Sequence, residues 1–518
     1  MLGRLPLLVT VVFAIVAVLL SRRSPSEPPT VTAGRKNTVL FLTAEASGLS
    51  NAHVAVSAAL LEHYPAIEVH YASFSKLEAK IARISSLTRA KYPTSGANPI
   101  YWHGLPGPGI LDVFARHWGD TDGMIHDLGA KDYDRRIEDI AFTLSPWEVE
   151  EHWTIYEAIT DLVDEIDPAI IILDNMLVPA KDFASNNNRR VVSVCPNGLT
   201  ELIAVDQPWA AMLWKYPTPS TGIPFPVRWK DIPTNIYLHL KLVWRLLTSP
   251  MLSSKRQYLI NKGIANPFPL SFVVKDAPLL ISTIPEADLP MDIMPPHVKV
   301  CGPLAIDITP AEDLEQIAVW LKQAPTVLIN LGSMFKYNEQ RAAAMAGAVA
   351  QLLNEQDVQV LWKFEKLGNY NDSVFASVRN YIDSDRLRVE SWLDADPMAL
   401  LRTGHIVLSV HHGGANCYQE AVLAGVPQLI LPLWFDLFNF AKAAEYRGIG
   451  IWPGKDIAPR WTVDSLSDGF RAALTGPKSA SLRQNAQKLA TVASSYGGPK
   501  AAAEVIAAMA SDIILPEA

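Results

Sequence analysis

Between Val410 and Gly450 the residue types and spacings suit a ligand carrying phosphate and sugar hydroxyls. An apolar strand ends at Val410, the chain turns through His411-His412-Gly413-Gly414, and a helix is predicted from about Asn416 to Leu423. Glycines at such a turn let backbone N–H groups approach a ligand closely. The helix N-terminus adds unpaired N–H groups and the positive end of a dipole, which suits a phosphate. His412 stands at that turn as a donor or positive charge, whereas His411 reads as structural. Glu420 lies one helical turn beyond Asn416 on the same face, where a carboxylate can accept two hydroxyl hydrogens, as from a ribose. Gly425-Val426-Pro427 ends the helix and starts a strand that delivers Trp434-Phe435-Asp436 to the same sheet edge. Asp436 can also cap the helix after Leu437. Asp-x-Asp, a pattern that can hold a divalent ion, occurs at Asp120-Thr-Asp122, Asp383-Ser-Asp385 and Asp394-Ala-Asp396. Three scattered hits in one chain show how little the pattern specifies, so no metal site is assigned.

This segment resembles the signature of the UDP-glycosyltransferases, inverting nucleotide-sugar enzymes of GT-B fold: His-Gly-Gly-x-Asn-Ser-x-x-Glu, Gly-Val-Pro, a strand-borne Pro, and Asp-Gln-x-x-Asn. The chain supplies His412, Gly413, Gly414, Asn416, Glu420, Gly425, Val426, Pro427, Pro432, Asp436 and Asn439. Leu328-Ile-Asn-Leu-Gly-Ser333 is similar to the family's strand and Gly-Ser loop, which implies that Gly332 and Ser333 face the diphosphate. Trp392, twenty residues before His412, falls where the family stacks an aromatic ring on uracil. Three departures stand out: Cys417 replaces Ser or Thr, Leu437 replaces a Gln that contacts sugar hydroxyls in many members, and Leu393-Asp394-Ala395 replaces x-Pro-Gln.

The resemblance implies a UDP-sugar as co-substrate and no metal ion or other cofactor. It also implies a general base, a His after the first strand, oriented by an Asp. On this chain those are His53, expected to open the first long helix, and Asp174, at the end of the strand Ala169–Leu173. The acceptor implied is a hydrophobic small molecule bearing a hydroxyl. Two other readings are a non-catalytic nucleotide-sugar-binding scaffold, motivated by Cys417 and Leu437, and a UDP-sugar epimerase of similar two-domain build.

The elements that must position these residues follow from the apolar pattern. Short continuous apolar runs, the mark of buried parallel strands, occur at Thr38–Thr43, Ile67–Tyr71, Ala169–Leu173, Val191–Val194, Pro278–Ser282, Thr326–Leu331, Val358–Lys363, Leu387–Val389, His405–Val410 and Gln428–Leu431. Helical patterns fall between most of them, so the chain is expected to be α/β, with two doubly wound, Rossmann-like parallel-sheet domains facing a cleft. The expected divisions are 1–36 for an anchor and linker, 37–304 for an acceptor-binding domain, 305–480 for a UDP-sugar-binding domain, and 481–518 for helices returning to the first domain. Residues 92–150 and 203–275 read as irregular aromatic interruptions lining or rimming a cleft.

Leu5–Leu20 is sixteen residues without a charge, followed by Arg22-Arg23. As a helix it would span about 24 Å, close to a bilayer core. It reads as an uncleaved transmembrane anchor, with a cleaved signal peptide as the alternative. Against the latter, the run is longer than the usual ~7–15 residues and no clear A-x-A cleavage site follows. The basic charge after it would leave the remaining domains in the cytosol, most simply at the endoplasmic reticulum. The net charge of −8 divides into +4 over residues 1–36 and −12 beyond them. An acidic folded part argues against nucleic acid as a partner. Three widely spaced cysteines form no disulfide framework.

Overall fold

The computed structural model describes residues 31–511 except 33, 132, 269–272, 275–276, 308–310 and 394. The anchor proposed at Leu5–Leu20 lies outside the described residues, among which no helix is long and apolar enough to cross a membrane.

Two sheets organise the described chain. The first contains β1 (Arg35–Leu42), β2 (Glu68–Ser73), β3 (Tyr101–Gly104), β4 (Pro168–Asp174), β5 (Val191–Cys195), β6 (Leu279–Ile281) and β7 (Val298–Val300), in the order β3-β2-β1-β4-β5-β6-β7. The second contains β8 (Thr326–Ile329), β9 (Gln359–Lys363), β10 (Leu387–Glu390), β11 (Ile406–His411), β12 (Gln428–Ile430) and β13 (Gly450–Ile451), in the order β10-β9-β8-β11-β12-β13. All pairings are parallel. Each sheet winds outward from its first strand, then returns to the centre and winds the other way. The loops after β1 and β4, and after β8 and β11, therefore diverge and open a crevice at the carboxyl ends. Register sets their level: Leu42 is opposite Leu173, and Val410 is opposite Ile329.

The expected α/β architecture is present, with three differences. The short strands β3, β7 and β13 were not legible, because two to four residues carry no periodicity and β3 is a half-exposed edge strand. The stretches 92–150 and 203–275 are not irregular: they contain the helices Ile110–Trp118, Tyr133–Leu144, Ile232–Leu247 and Pro250–Asn261. Their aromatic and proline content obscures a helical period that packing resolves. The first long helix runs Ser47–His63, so it begins six residues before His53 rather than at it. Ser47-Gly48 and Ser50-Asn51 have the composition of a loop, but Ala52–Leu61 is buried on the sheet and the helix extends back from that face.

The final helix, Pro499–Ser511, leaves the second lobe and packs on Ser47–His63 in the core of the first, through Ala502, Ala503, Ile506, Ala507 and Ala510. The helix before it, Ser479–Ser495, packs on Ala415–Ala424. A second tie runs the other way: Met124 of the first lobe enters the second lobe's core. His126 beside it accepts the Phe435 N–H at Nε2 (3.1 Å) and donates its own N–H to the Leu433 carbonyl (3.3 Å).

Two outcomes are expected. Ile506→Ala, at a fully buried position, should cost about 2–5 kcal/mol, read as a lower denaturation midpoint. Burial first, then Arg136, pushes the His126 imidazole down to about 4, whereas the unfolded chain protonates it near 6.5. Its contribution is therefore complete above pH 6.5 and lost as pH falls towards 4. His126→Gln keeps an acceptor without that titration and should reduce the slope of Tm against pH in this window.

Candidate functional site

The crevice of the second lobe is built by backbone. After β8 the chain makes the turn Asn330-Leu331-Gly332-Ser333, in which Asn330 Oδ1 accepts the Gly332 N–H (3.1 Å). Lys363, at the end of β9, donates to the Gly332 carbonyl (2.9 Å). After β11, His411 accepts the Gly413 N–H at Nδ1 (3.0 Å), which leaves its Nε2–H to donate to Gln428 Oε1 (2.8 Å). His411 is thus the structural brace of the turn. The His412 ring lies between the two loops. A Cβ on Gly332 would sit 2.6 Å from His412 Cε1, and one on Gly414 would sit 2.5 Å from the same atom. Gly413, at φ +91°, would drive a Cβ to 2.9 Å from the Leu437 carbonyl. All three positions need glycine for contact, and Gly332 (φ +88°) and Gly413 need it for conformation as well.

The helix after this turn is Ala415–Ala424, and its N-cap Gly414 gives it no side-chain cap. Its first N–H groups are left for a ligand. Cys417 lies in this first turn, and burial pushes its thiol well above the usual range, so it remains protonated. Burial pushes His412 down to about 3, helped by His411 and Lys363. The ring is neutral, a correction to any role as a fixed positive charge. Lys363 is the cation that the site holds instead. Its ammonium lies 4.4 Å from the centre of the Trp392 ring, whose outer face is exposed. Ser333 is exposed beside it.

Glu420 is buried one turn along the helix and is pushed up to about 8, first by burial, then by Asp396, and opposed by Lys80 of the first lobe. Asn416, expected at the ligand, donates to the Ser47 carbonyl of the first lobe (2.7 Å). With Asn51 and Ser282 of the first lobe, Asn416 and Glu420 line a small interlobe pocket. Asp436 precedes the helix Leu437–Arg447 without bonding to it through its side chain. Leu437 turns into the second lobe's core.

The first-lobe pair differs from expectation. His53 is fully buried on the second turn of its helix. Its Nδ1 meets the Leu49 carbonyl (3.1 Å) and its Nε2 the Leu173 carbonyl (3.3 Å). The Asp174 carboxylate accepts the Ala44 N–H (3.0 Å) and the Met176 N–H (2.8 Å) rather than the imidazole. Burial raises the Asp174 pKa and the neighbouring His53 lowers it. The two side chains lie near one another but form no hydrogen-bonded dyad, because the ring nitrogens are taken by the Leu49 and Leu173 carbonyls and the carboxylate by the Ala44 and Met176 N–H groups.

The carboxylate that the cleft does present is Glu201, on the short helix Leu199–Ile203 after β5. It accepts from Asn197 Nδ2 (3.0 Å) and, across the lobes, from Asn439 Nδ2 (2.7 Å). Asp288 holds this helix in place by accepting the Leu199 N–H (2.8 Å). Burial raises the pKa of both Glu201 and Asp436, and Asp436 raises Glu201 further. Glu201, Lys80 and Lys363 were not singled out from sequence. Lys363 alone carried a signal, as an ionisable residue ending a buried strand. Asp122, in one Asp-x-Asp, pairs with Arg341 and accepts from Asn338 across the lobes. Among the described residues no group of three His, Cys, Asp or Glu side chains could hold a metal ion.

Comparisons with known proteins agree with this arrangement. Residues 384–509 match the family described as erythromycin biosynthesis protein CIII-like, C-terminal domain. Glycosyltransferase sdnJ of Sordaria araneosa is 32% identical over 505 residues, covering 91% of this chain and 98% of that protein. The fold matches the kitacinnamycin glycotransferase at 14% identity, with a TM-score of 0.56 over 91% of this chain and 98% of that one. It also matches Os79 of O. sativa, solved in complex with U2F and trichothecene, at 16% identity and a TM-score of 0.56 over 92% of this chain and all of that one. The two parallel-sheet lobes are thus a GT-B pair. With a relative matched over nearly its whole length and this glycine-built crevice, the chain is a glycosyltransferase and belongs to the UDP-glycosyltransferase family.

Proposed function

We propose that the chain transfers a hexose from a UDP-sugar, with inversion and without a metal ion, to a hydroxyl of a hydrophobic small molecule. The observation that carries this reading is the His412 ring held between Gly332 and Gly414 at the uncapped start of Ala415–Ala424. That start offers fixed N–H donors to a diphosphate, and Lys363 adds the charge. Preorganised donors of this kind stabilise a departing UDP where its charge develops. The exposed face of Trp392 suits uracil, and Glu420 suits the ribose hydroxyls. Asp436 faces the sugar side, with Leu437 withdrawn. A neighbour solved with trichothecene supports an apolar, ring-containing acceptor. The anchor Leu5–Leu20, if it spans the endoplasmic reticulum membrane, would leave both lobes in the cytosol.

A base must take the acceptor proton. His53, oriented by Asp174, serves only in a state where its ring leaves the Leu49 and Leu173 carbonyls. A second reading is favoured by the bridged, partly exposed Glu201. With Asp436 beside it, its carboxylate is more basic than an ordinary one, which brings it nearer the working pH of a general base.

Mass spectrometry of products from several UDP-sugars and a set of hydrophobic alcohols and phenols tests the main reading. A glycosylated product with release of UDP is expected; tight UDP binding without transfer or hydrolysis would support the scaffold instead. Gly414→Ala displaces the His412 ring and should raise the KM for donor about 5- to 100-fold, taking overpacking as about 1–3 kcal/mol. For the base, kcat should rise with pH above the ordinary carboxylate range as Glu201 deprotonates. Glu201→Gln should abolish that rise and lower kcat at least about 100-fold, with UDP binding retained. If only His53→Gln does so, the base is His53.

A further inference from the structure

The chain between β5 and β6 carries an apolar surface that points away from every core. In the helix Ile232–Leu247, Asn235, Leu238 and His239 are buried inward. The opposite face should be polar on a surface helix. Instead Pro233, Tyr237, Leu240, Trp244 and Leu247 follow one another at spacings of four and three residues, the period of a single helix face. Tyr237, Trp244 and Leu247 are each more than half exposed, and Trp229, just before the helix, is 89% exposed. The segment Pro208–Trp214 packs beside this helix and adds Trp214 and an 89%-exposed Trp209. Trp209 is held outward by a left-handed backbone, φ +57°, and its carbonyl accepts the Trp214 indole N–H (3.0 Å). A bulky residue rarely adopts that conformation. Contiguous exposed apolar surface of this kind marks an interaction site.

We infer that this face docks on a lipid bilayer, as an interfacial contact separate from the apolar run Leu5–Leu20. The composition decides between occupants. Trp and Tyr, with an apolar body and one polar edge, concentrate where membrane meets water, and an amphipathic helix of this kind lies in that plane. Lys230, Lys241 and Arg245 flank the stripe at headgroup level; Lys241 and Arg245 are paired to Asp134 and Glu138, so the charge contribution is modest and the aromatic face dominates. The chain itself brings a membrane within reach. The eleven residues 21–31 precede Thr32, whose N–H bonds the Asn188 carbonyl of the first lobe, and they extend to at most about 40 Å. The first lobe is therefore tethered within that distance of any membrane that the apolar run enters. The insertion leaves from the carboxyl edge of β5, and its Phe225 ring meets Tyr446 of the second lobe at 5.6 Å. It therefore rims the cleft, and docking would bring the cleft's mouth to the lipid phase in which an apolar acceptor dissolves.

The test uses the full chain reconstituted in vesicles of phosphatidylcholine, with and without phosphatidylserine, and hydroxyl-radical footprinting read by peptide mass spectrometry. Trp392, exposed on the second lobe, serves as the reference in the same sample. Trp229, Tyr237 and Trp244 are expected to be oxidised several-fold more slowly, relative to it, than in detergent without vesicles, in both lipids. The double variant Tyr237→Glu, Trp244→Glu, on an outward face that folding does not use, should return Trp229 to its rate in detergent. Oxidation of Trp229 and Trp244 as fast in vesicles as in detergent, relative to Trp392, overturns the inference. So does protection that disappears as protein is diluted in lipid, which would assign the face to a second copy of the chain. Neither result bears on UDP-sugar transfer, which is measured separately with soluble acceptors.

Discussion

Parallel strands can be joined only by crossovers, and near-universal right-handed crossovers allow a sheet to grow from one strand in two directions. Both sheets obey this constraint with the same order, and the glycine turns and the His53/Asp174 pair lie where the direction reverses, with Glu201, Lys363 and Asp436 at or after the ends of strands beside it. The loops after β1 and β4 carry Ala44 and Asp174; those after β8 and β11 carry Gly332 and His412. At these points backbone N–H groups have no neighbouring strand to bond to, so they must be turned onto side chains, water or a ligand. Asn330 and His411 perform the first task in the second lobe by accepting the Gly332 and Gly413 N–H groups, while Lys363 donates to the Gly332 carbonyl. What remains free is the start of Ala415–Ala424.

Between the lobes, polar bonds flank two apolar contacts, Met124 in the second lobe's core and Ile284, Ala287 and Leu289 against Tyr418 and Phe438. Asn416 meets Ser47, Asn439 meets Glu201, Arg447 meets the carbonyl of Asp288, and Arg341 meets Asp122. Net gains from such bonds are about 1 kcal/mol each because water competes for every partner. The apolar contacts, by contrast, tie each lobe into the other's core, so the lobes cannot part without exposing them. Glu201 and Asp436 are the exception to the seam's stability. Two neighbouring carboxylates across a seam resist being ionised together, which adds to burial in pushing Glu201 above the ordinary carboxylate range.

The parallel strands and the glycine turn were legible because each rests on local pattern. A strand buried on both faces is apolar at every position, and β1, β4, β8 and β11 read that way. The motif His412-Gly413-Gly414 is read as easily, since the crowding that demands its glycines comes largely from residues two apart in sequence and from one facing loop. The short strands β7 and β13 were not legible, because pairing with a long neighbour, not their own residues, makes them strands. The helices inside 92–150 and 203–275 were also missed. Only Ile232–Leu247 carries aromatics on its outward face, at Tyr237 and Trp244, which hides its period; the other three have mainly polar outward faces.

Sequence alone thus determined the two-lobed α/β architecture, the family and the crevice of the second lobe, since these depend on residues close together along the chain. Only the tertiary structure decided the first-lobe chemistry. It turned both His53 ring nitrogens onto backbone carbonyls and Asp174 onto backbone N–H groups, and it brought Glu201 against Asn439 from 238 residues away in sequence. The physical reason is that burial and the identity of a partner set the reactivity of a carboxylate or an imidazole, and neither is a property of the residues beside it in the chain.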